Sequence, residues 1–228
     1  MADHHLPGAP PVPLTLRRSP RARRISLRIS ALDGRVTLTL PKSLPEGDAL
    51  AFAAEKEDWI RSHLAKHPET VAVQMGSCLP IDGRDRRIVA AKGKRVLVRE
   101  DEIEVPGDRP GRVLQRFLRE LARDRLAAAS DHYAATLGRS YSRITLRDTR
   151  SRWGSCTSDG GLMYSWRLIL APPEVLRYVA AHEVAHLAEM NHSAAFWAQV
   201  EHLYGDYQPP RRWLKAQGGG LHRFRFDL

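Results

Sequence analysis

At 228 residues the chain is long enough to bury a substantial core, and it suits one large domain or two small ones. A hydrophobic content of 43% with a mean hydropathy of −0.41 describes an ordinary soluble chain, and no apolar run approaches the roughly eighteen residues of a membrane-spanning helix. Two cysteines, Cys78 and Cys156, exclude a disulfide framework and fit a reducing cytoplasm, while 36 Lys+Arg against 26 Asp+Glu leave a formal charge of +10. That balance suits acidic partners such as nucleic acid or nucleotides, although an Arg-rich composition alone produces the same number.

The first thirteen residues, MADHHLPGAPPVP, lack a basic segment followed by an apolar one, so they do not form a secretory signal. They read as a disordered, Pro-rich lead over 1–13. Ile25, Leu27 and Ile29 then alternate with Arg24, Ser26 and Arg28, the period of a half-buried strand. Asp33-Gly34 supplies a tight turn, and Val36, Leu38 and Leu40 alternate on the returning strand, which predicts a hairpin. Arg17, Arg18, Arg21, Arg23, Arg24 and Arg28 crowd its first half. A solvated polar face is the ordinary use of such a run; a surface that tracks phosphates is the sharper one.

Residues 48–67 carry Leu50, Ala53, Ala54, Ile60 and Leu64 at helical spacing, closed by Pro68. From 71 to 105 short apolar runs separated by Asp82-Gly83 and Lys92-Gly93 predict an all-β stretch, with Cys78 a small buried residue. The Pro- and Gly-rich break at 106–110 (PGDRP) is the candidate domain boundary. Beyond it, Val113, Leu114, Phe117, Leu118, Leu121, Leu126 and Tyr133 define a long amphipathic helix ending near Gly138. Ile144 and Leu146 suggest a strand, 162–170 reads as another, and Pro172-Pro173-Glu174 opens a helix expected to stop near Asn191. Ser193 is placed to cap a further helix, and the tail GGGLHRFRFDL reads as loosely held.

The chemistry concentrates in residues 178–197, YVAAHEVAHLAEMNHSAAFW. His182 and His186 are four apart and share one helical face, so their imidazoles can close on a single zinc ion, with Glu183 placed to take a proton from zinc-bound water. For the third ligand, Glu189 would lie on the same helix, while Glu201 and His202 lie on the next one. His192 sits where the chain reverses and can aim a ring back at the metal; it is the favoured choice. The spacing from His186 to His192 is also that of the metzincins. Glu189 stands where that group has glycine, however, and every methionine precedes His192, so no Met-turn follows.

Together SRWGSC (151–156), the 178–197 stretch with its NHSxxFW continuation, and RRSPRARRISLRIS before Asp33-Gly34 resemble the YgjP-like metallopeptidases, relatives of the WLM and SprT-type zinc peptidases. The likeness spans about residues 14–213. It implies an α+β chain: a β-rich region with a helix over 14–106, then a zincin-like metallopeptidase domain over 107–228 with a long His-Glu-x-x-His helix and a small sheet. It also implies one zinc ion on His182, His186 and His192, Glu183 as general base, and the Arg152-Trp153-Gly154 turn near the cleft as scaffold. Cys156 reads as a packed thiol rather than a thiolate held against the metal. Tyr207, Arg152 and Tyr164 are candidate donors to the oxyanion. The expected substrate is a protein or peptide, in an SprT-like version one near nucleic acid. The competing reading is a hydrolase of nucleotide phosphoanhydrides that uses the six arginines, and a third is a nucleic-acid-binding module with a vestigial site. No membrane partner is expected.

Overall fold

The computed structural model describes residues 4–30, 34–65 and 69–226, and the chain falls into two compact units, Met1–Glu69 and Thr70–Leu228. In the first unit β1 (His4–Leu6), β2 (Val12–Arg18), β3 (Ser26–Ile29) and β4 (Val36–Leu40) form a sheet in the order β1-β2-β4-β3. β3 and β4 pair antiparallel, with Leu27 opposite Leu38, as the alternation predicts; Asp33 of the expected turn lies outside the described residues. β2 runs parallel to β4 on its other side, which puts Leu14, Val36 and Leu38 on one buried face with Leu6, Val12, Ala53 and Ile60.

The lead is not disordered over its described part. β1 pairs with β2, and the Arg61 guanidinium donates to the carbonyls of Pro7 and Pro10 at 2.7 and 2.9 Å, which ties the Pro-rich bend down. The helical stretch is two helices, α1 (Glu46–Glu55) and α2 (Glu57–Ala65), broken at Lys56, whose N–H is shared between the carbonyls of Phe52 and Ala53. The six arginines all lie exposed on this unit. Arg18 has a structural use: its guanidinium donates to the carbonyls of Lys42 and Leu44 and reaches Glu46, which fixes the link from β4 into α1.

The second unit starts with β5 (Val71–Ala72). A sheet of β6 (Cys78–Ile81), β7 (Arg84–Ala90), β8 (Leu97–Val98) and β9 (Glu102–Val105) follows, in the order β6-β7-β9-β8. Asp82 and Gly83 turn β6 into β7 with φ of 53° and 73°, the left-handed pair a two-residue hairpin requires. The buried face of this sheet (Leu79, Ile81, Ile88, Ile103, Val105) shares one core with Leu114, Leu118, Ala122 and Leu126 of α3 (Pro110–Leu137). The 106–110 break is therefore a turn inside a unit, and the division of the chain falls at Glu69 instead. Gly138, at φ 66°, caps α3 where expected.

β10 (Arg143–Arg147), β11 (Gly154–Cys156) and β12 (Gly161–Ser165) form a small sheet in the order β10-β12-β11, with β10 parallel and β11 antiparallel to β12. The expected strand over 162–170 ends at Ser165, and Trp166–Leu170 is a 3-10 helix buried on every side. α4 (Pro173–Ala185), α5 (Ala194–Tyr204) and α6 (Gln208–Gln217) follow. The tail is held rather than loose: Gly218–Arg223 makes a 3-10 turn, and β13 (Phe224–Arg225) pairs parallel with β5, burying Phe224 and Phe226. The Arg167 guanidinium, clamped on Asp148, donates at 3.1 Å to the carbonyls of Leu221 and Phe224 and anchors that return.

Candidate metal centre

His182 and Glu183 lie in the last two turns of α4, and His186 is its C-cap. The helix stops about a turn and a half before Asn191. The N–H groups of Leu187 and Ala188 turn back onto the carbonyls of Val184 and Ala185, and His186 Nδ1 meets the carbonyl of Glu189 at 3.0 Å. That contact fixes the tautomer: the proton on Nδ1 donates to the carbonyl and leaves Nε2 with a free lone pair. Ser193 then caps α5 by accepting from the Phe196 N–H, which sets the angle at which His192 comes back toward α4.

The result is a near-equilateral group. Ring centroids are 5.1 Å apart for His182–His186, 5.0 Å for His182–His192 and 4.9 Å for His186–His192, and one ligand atom from each lies within 4.8 Å of the others. His192 Nε2 stands 3.1 Å from His182 Nε2. The Phe196 ring forms the apolar floor, 4.4 to 4.9 Å from all three imidazoles. Burial chiefly drives the His182 pKa down to about 3, with His186, His192 and Arg211 adding to the effect, and burial likewise lowers His186. Both rings are neutral at physiological pH, the state in which imidazole binds a metal. His182 Nδ1 is buried without a hydrogen-bond partner among the described residues. Three imidazoles converging beside a buried carboxyl form a donor set that fits zinc. Glu201 and His202 are not part of the converging group, and His202 instead lines a separate cavity with Thr136 and Leu137.

Glu183 is 5% exposed, and burial pushes its carboxyl up to about 8, partly offset by the positive charge of Arg152. Its position depends on Gly154 of β11: a Cβ there would come within 2.6 Å of Glu183 Cγ and 2.7 Å of Cδ. The SRWGSC turn therefore supports the carboxyl directly. Trp153 holds the turn in place, its ring 5.2 Å from His222 and its carbonyl accepting from the Ser165 N–H. Cys156 donates its thiol hydrogen to the Thr157 carbonyl, and burial, then the charges of Glu183 and Asp159, raise its pKa to about 11.

The three candidate oxyanion donors part company. Tyr164 is fully buried in the core and meets Ser130 Oγ at 2.9 Å through its hydroxyl, so it cannot reach a substrate and leaves the set. The half-buried ring of Tyr207 stacks between Tyr178 and Trp197, and Trp197 lies 5.7 and 5.8 Å from His182 and His192. Arg152 is exposed at the start of the β11 turn. One residue at the rim escapes a reading of the sequence: Arg211, on α6, lies 4.4 Å over the Trp197 ring. Local spacing carries no trace of it, because α6 reaches the site only through the tertiary fold.

The profile of the YgjP-like metallopeptidase domain matches residues 23–217. That match places the chain among the metallopeptidases as a class. Within that class, this chain belongs to the YgjP-like family. No curated protein matches it. Among solved structures it is similar to the metallopeptidase zymogen of Pyrococcus abyssi, abylysin, at 21% identity and a TM-score of 0.36 over 40% of this chain and 95% of that one. No helix among the described residues is long and apolar enough to cross a membrane.

Proposed function

We propose that the chain is a zinc-dependent peptidase in which His182, His186 and His192 hold one zinc ion and Glu183 acts as general base. The observation that carries this reading is the convergence of three imidazoles within 4.8 Å beside a buried carboxyl. Zinc supplies Lewis acidity when bound, polarising a carbonyl and making water a stronger acid near neutral pH. Glu183 takes the proton from water at its carboxylate and passes it to the departing amine. Burial raises its proton affinity toward neutrality, as that exchange requires. Gly154 keeps the carboxyl in place, and the Glu189 carbonyl keeps the His186 tautomer that leaves Nε2 free. Tyr207 and Arg152 are the two remaining candidates to donate to the developing oxyanion.

The test pairs the zinc-loaded protein with Glu183→Gln on casein and on a panel of nucleoside triphosphates, with zinc content measured by elemental analysis. Glu183→Gln should keep its zinc and lose about 10²–10⁴-fold in peptide hydrolysis, whereas His192→Ala should lose zinc. Full casein hydrolysis by Glu183→Gln, or triphosphate hydrolysis in place of casein cleavage, refutes the proposal.

A further inference from the structure

The face of the small sheet that turns away from α4 carries a basic cavity. Pairing sets its geometry: Arg143, Thr145 and Arg147 alternate with the half-buried Ile144 and Leu146 along β10, and Thr145 lies level with Met163 of β12, which lies level with Ser155 of β11. These side chains share one face, and with Thr149, Arg152 and Thr157 they line a cavity of about 270 Å³. No carboxylate among the described residues lines it.

The hydrogen-bond inventory says what the cavity can bind. Thr145 and Thr149 donate their hydroxyls to the carbonyls of Leu162 and Arg152, and Thr157 is engaged with Asp159. Arg143 is neutralised by Asp159 at 2.9 Å, and the nearby Asp148 is committed to Arg167. Arg147 has no carboxylate partner among the described residues and the Ser155 hydroxyl makes no hydrogen bond there, while the charge of Arg152, at the edge of the cavity, is felt by Glu183. The unpaired Arg147 guanidinium and the Ser155 hydroxyl, with the exposed Arg152 beside them, make a donor set for an anion with two or more oxygens.

The position of the cavity selects the anion. β11 is the edge strand of its sheet; its Gly154 touches Glu183 on one face, and its Ser155 lines the cavity on the other. A peptide that extends the sheet along β11 has side chains pointing alternately to the two faces. Residues on one side face the metal centre, and those between them share the side on which Ser155 opens into the cavity that Arg147 also lines.

Resting on the peptidase reading above, we infer that this cavity is a specificity pocket for an acidic side chain of the substrate, at the positions that alternate with those facing the metal centre. The overall charge of +10 favours acidic peptides everywhere on the surface. The cavity makes the preference local and dependent on position.

The experiment uses full-length, zinc-loaded Glu183→Gln protein, which binds without cleaving, and fluorescein-labelled ten-residue peptides that differ only by Glu or Gln at a single position. Anisotropy should show Glu favoured over Gln by about 10-fold at alternating positions, the size of a charge-assisted hydrogen bond. Arg147→Gln, an exposed and conservative change, should bring that ratio close to one. A ratio of one in the parent protein, a preference at every position alike, or a ratio unmoved by both Arg147→Gln and Arg152→Gln overturns the pocket. A short single-stranded oligonucleotide is the competing ligand: if Arg147→Gln weakens it but leaves the Glu/Gln ratio intact, the cavity serves nucleic acid and the proposal fails. Peptide binding is read without turnover, so absence of cleavage by the parent enzyme counts against the peptidase reading alone.

Discussion

Gly154→Ala tests the link between the small sheet and the carboxyl proposed as general base. The added Cβ would stand 2.6 Å from Glu183 Cγ, whereas ordinary contact begins at 3.4 Å, so the glutamate side chain has to retreat by about 0.8 Å. Glu183 is 5% exposed and has little room to yield without turning its carboxyl away from the histidines. A displacement near 1 Å in a reacting group costs about 100-fold in rate. Overpacking a core site costs about 1–3 kcal/mol of stability, which leaves a folded protein. The assay is casein hydrolysis at saturating zinc, with elemental analysis and the thermal midpoint as controls. The expected variant is folded, holds one zinc and turns over about 100-fold more slowly. Wild-type activity in a folded, zinc-bearing Gly154→Ala protein would show that β11 does not position Glu183.

Three further outcomes follow from the same structure. Phe226→Ala removes a ring buried 5.3 Å from Trp166 and should cost about 3–5 kcal/mol in urea unfolding; a loss under 1 kcal/mol would mean that the tail is not part of the core. Burial, with the Arg167 charge, holds His222 down to about 4, so the unfolded chain takes up a proton below its ordinary 6.5 while the folded one does not. The stability this residue contributes is complete above pH 6.5 and drains away as pH falls toward 4, by up to about 3 kcal/mol, and His222→Phe at equal zinc occupancy should flatten that limb of a melting-temperature profile. Iodoacetamide at pH 8 should label Cys78, which lies exposed on β6 rather than buried as its sequence context suggests, and spare Cys156, whose thiol is pushed up to about 11; equal labelling by mass spectrometry would contradict the packed-thiol reading.

The elements legible in the sequence are those whose information is local. Alternation around Leu27 and Leu38 gave the β3–β4 pairing, and the spacing of Leu114, Leu118 and Leu126 with Gly138 gave α3. Where local cues misled, a distant contact overrode them. Three glycines make the tail look loose, but Phe224 pairs with Val71 at the far end of its unit. Leu187 and Met190 extend the apolar spacing of α4 toward Asn191, yet the His186–Glu189 contact ends the helix and leaves Met190 54% exposed. Trp166–Leu170 is buried all round, so its apolar run carries no period that separates strand from 3-10 helix. The PGDRP break has the composition of a linker but joins two halves of one core.

The candidate site divides along the same line. His182, Glu183, His186 and His192 lie within eleven consecutive residues, so their geometry follows from one helix and one turn. Gly154, Arg147 and Arg211 reach their places by sheet pairing and helix packing, and nothing in their spacing announces it. The two faces of β11 can nevertheless be separated experimentally, because alternation puts Gly154 and Ser155 on opposite sides of the sheet. A shift of Glu183 by Gly154→Ala should slow every peptide by the same factor, since the proposed base serves each of them. Removal of the Arg147 guanidinium changes only the ranking of acidic against neutral peptides. If Gly154→Ala also erased the ranking, the strand itself would have moved, and both assignments would then rest on a single distortion rather than on two faces.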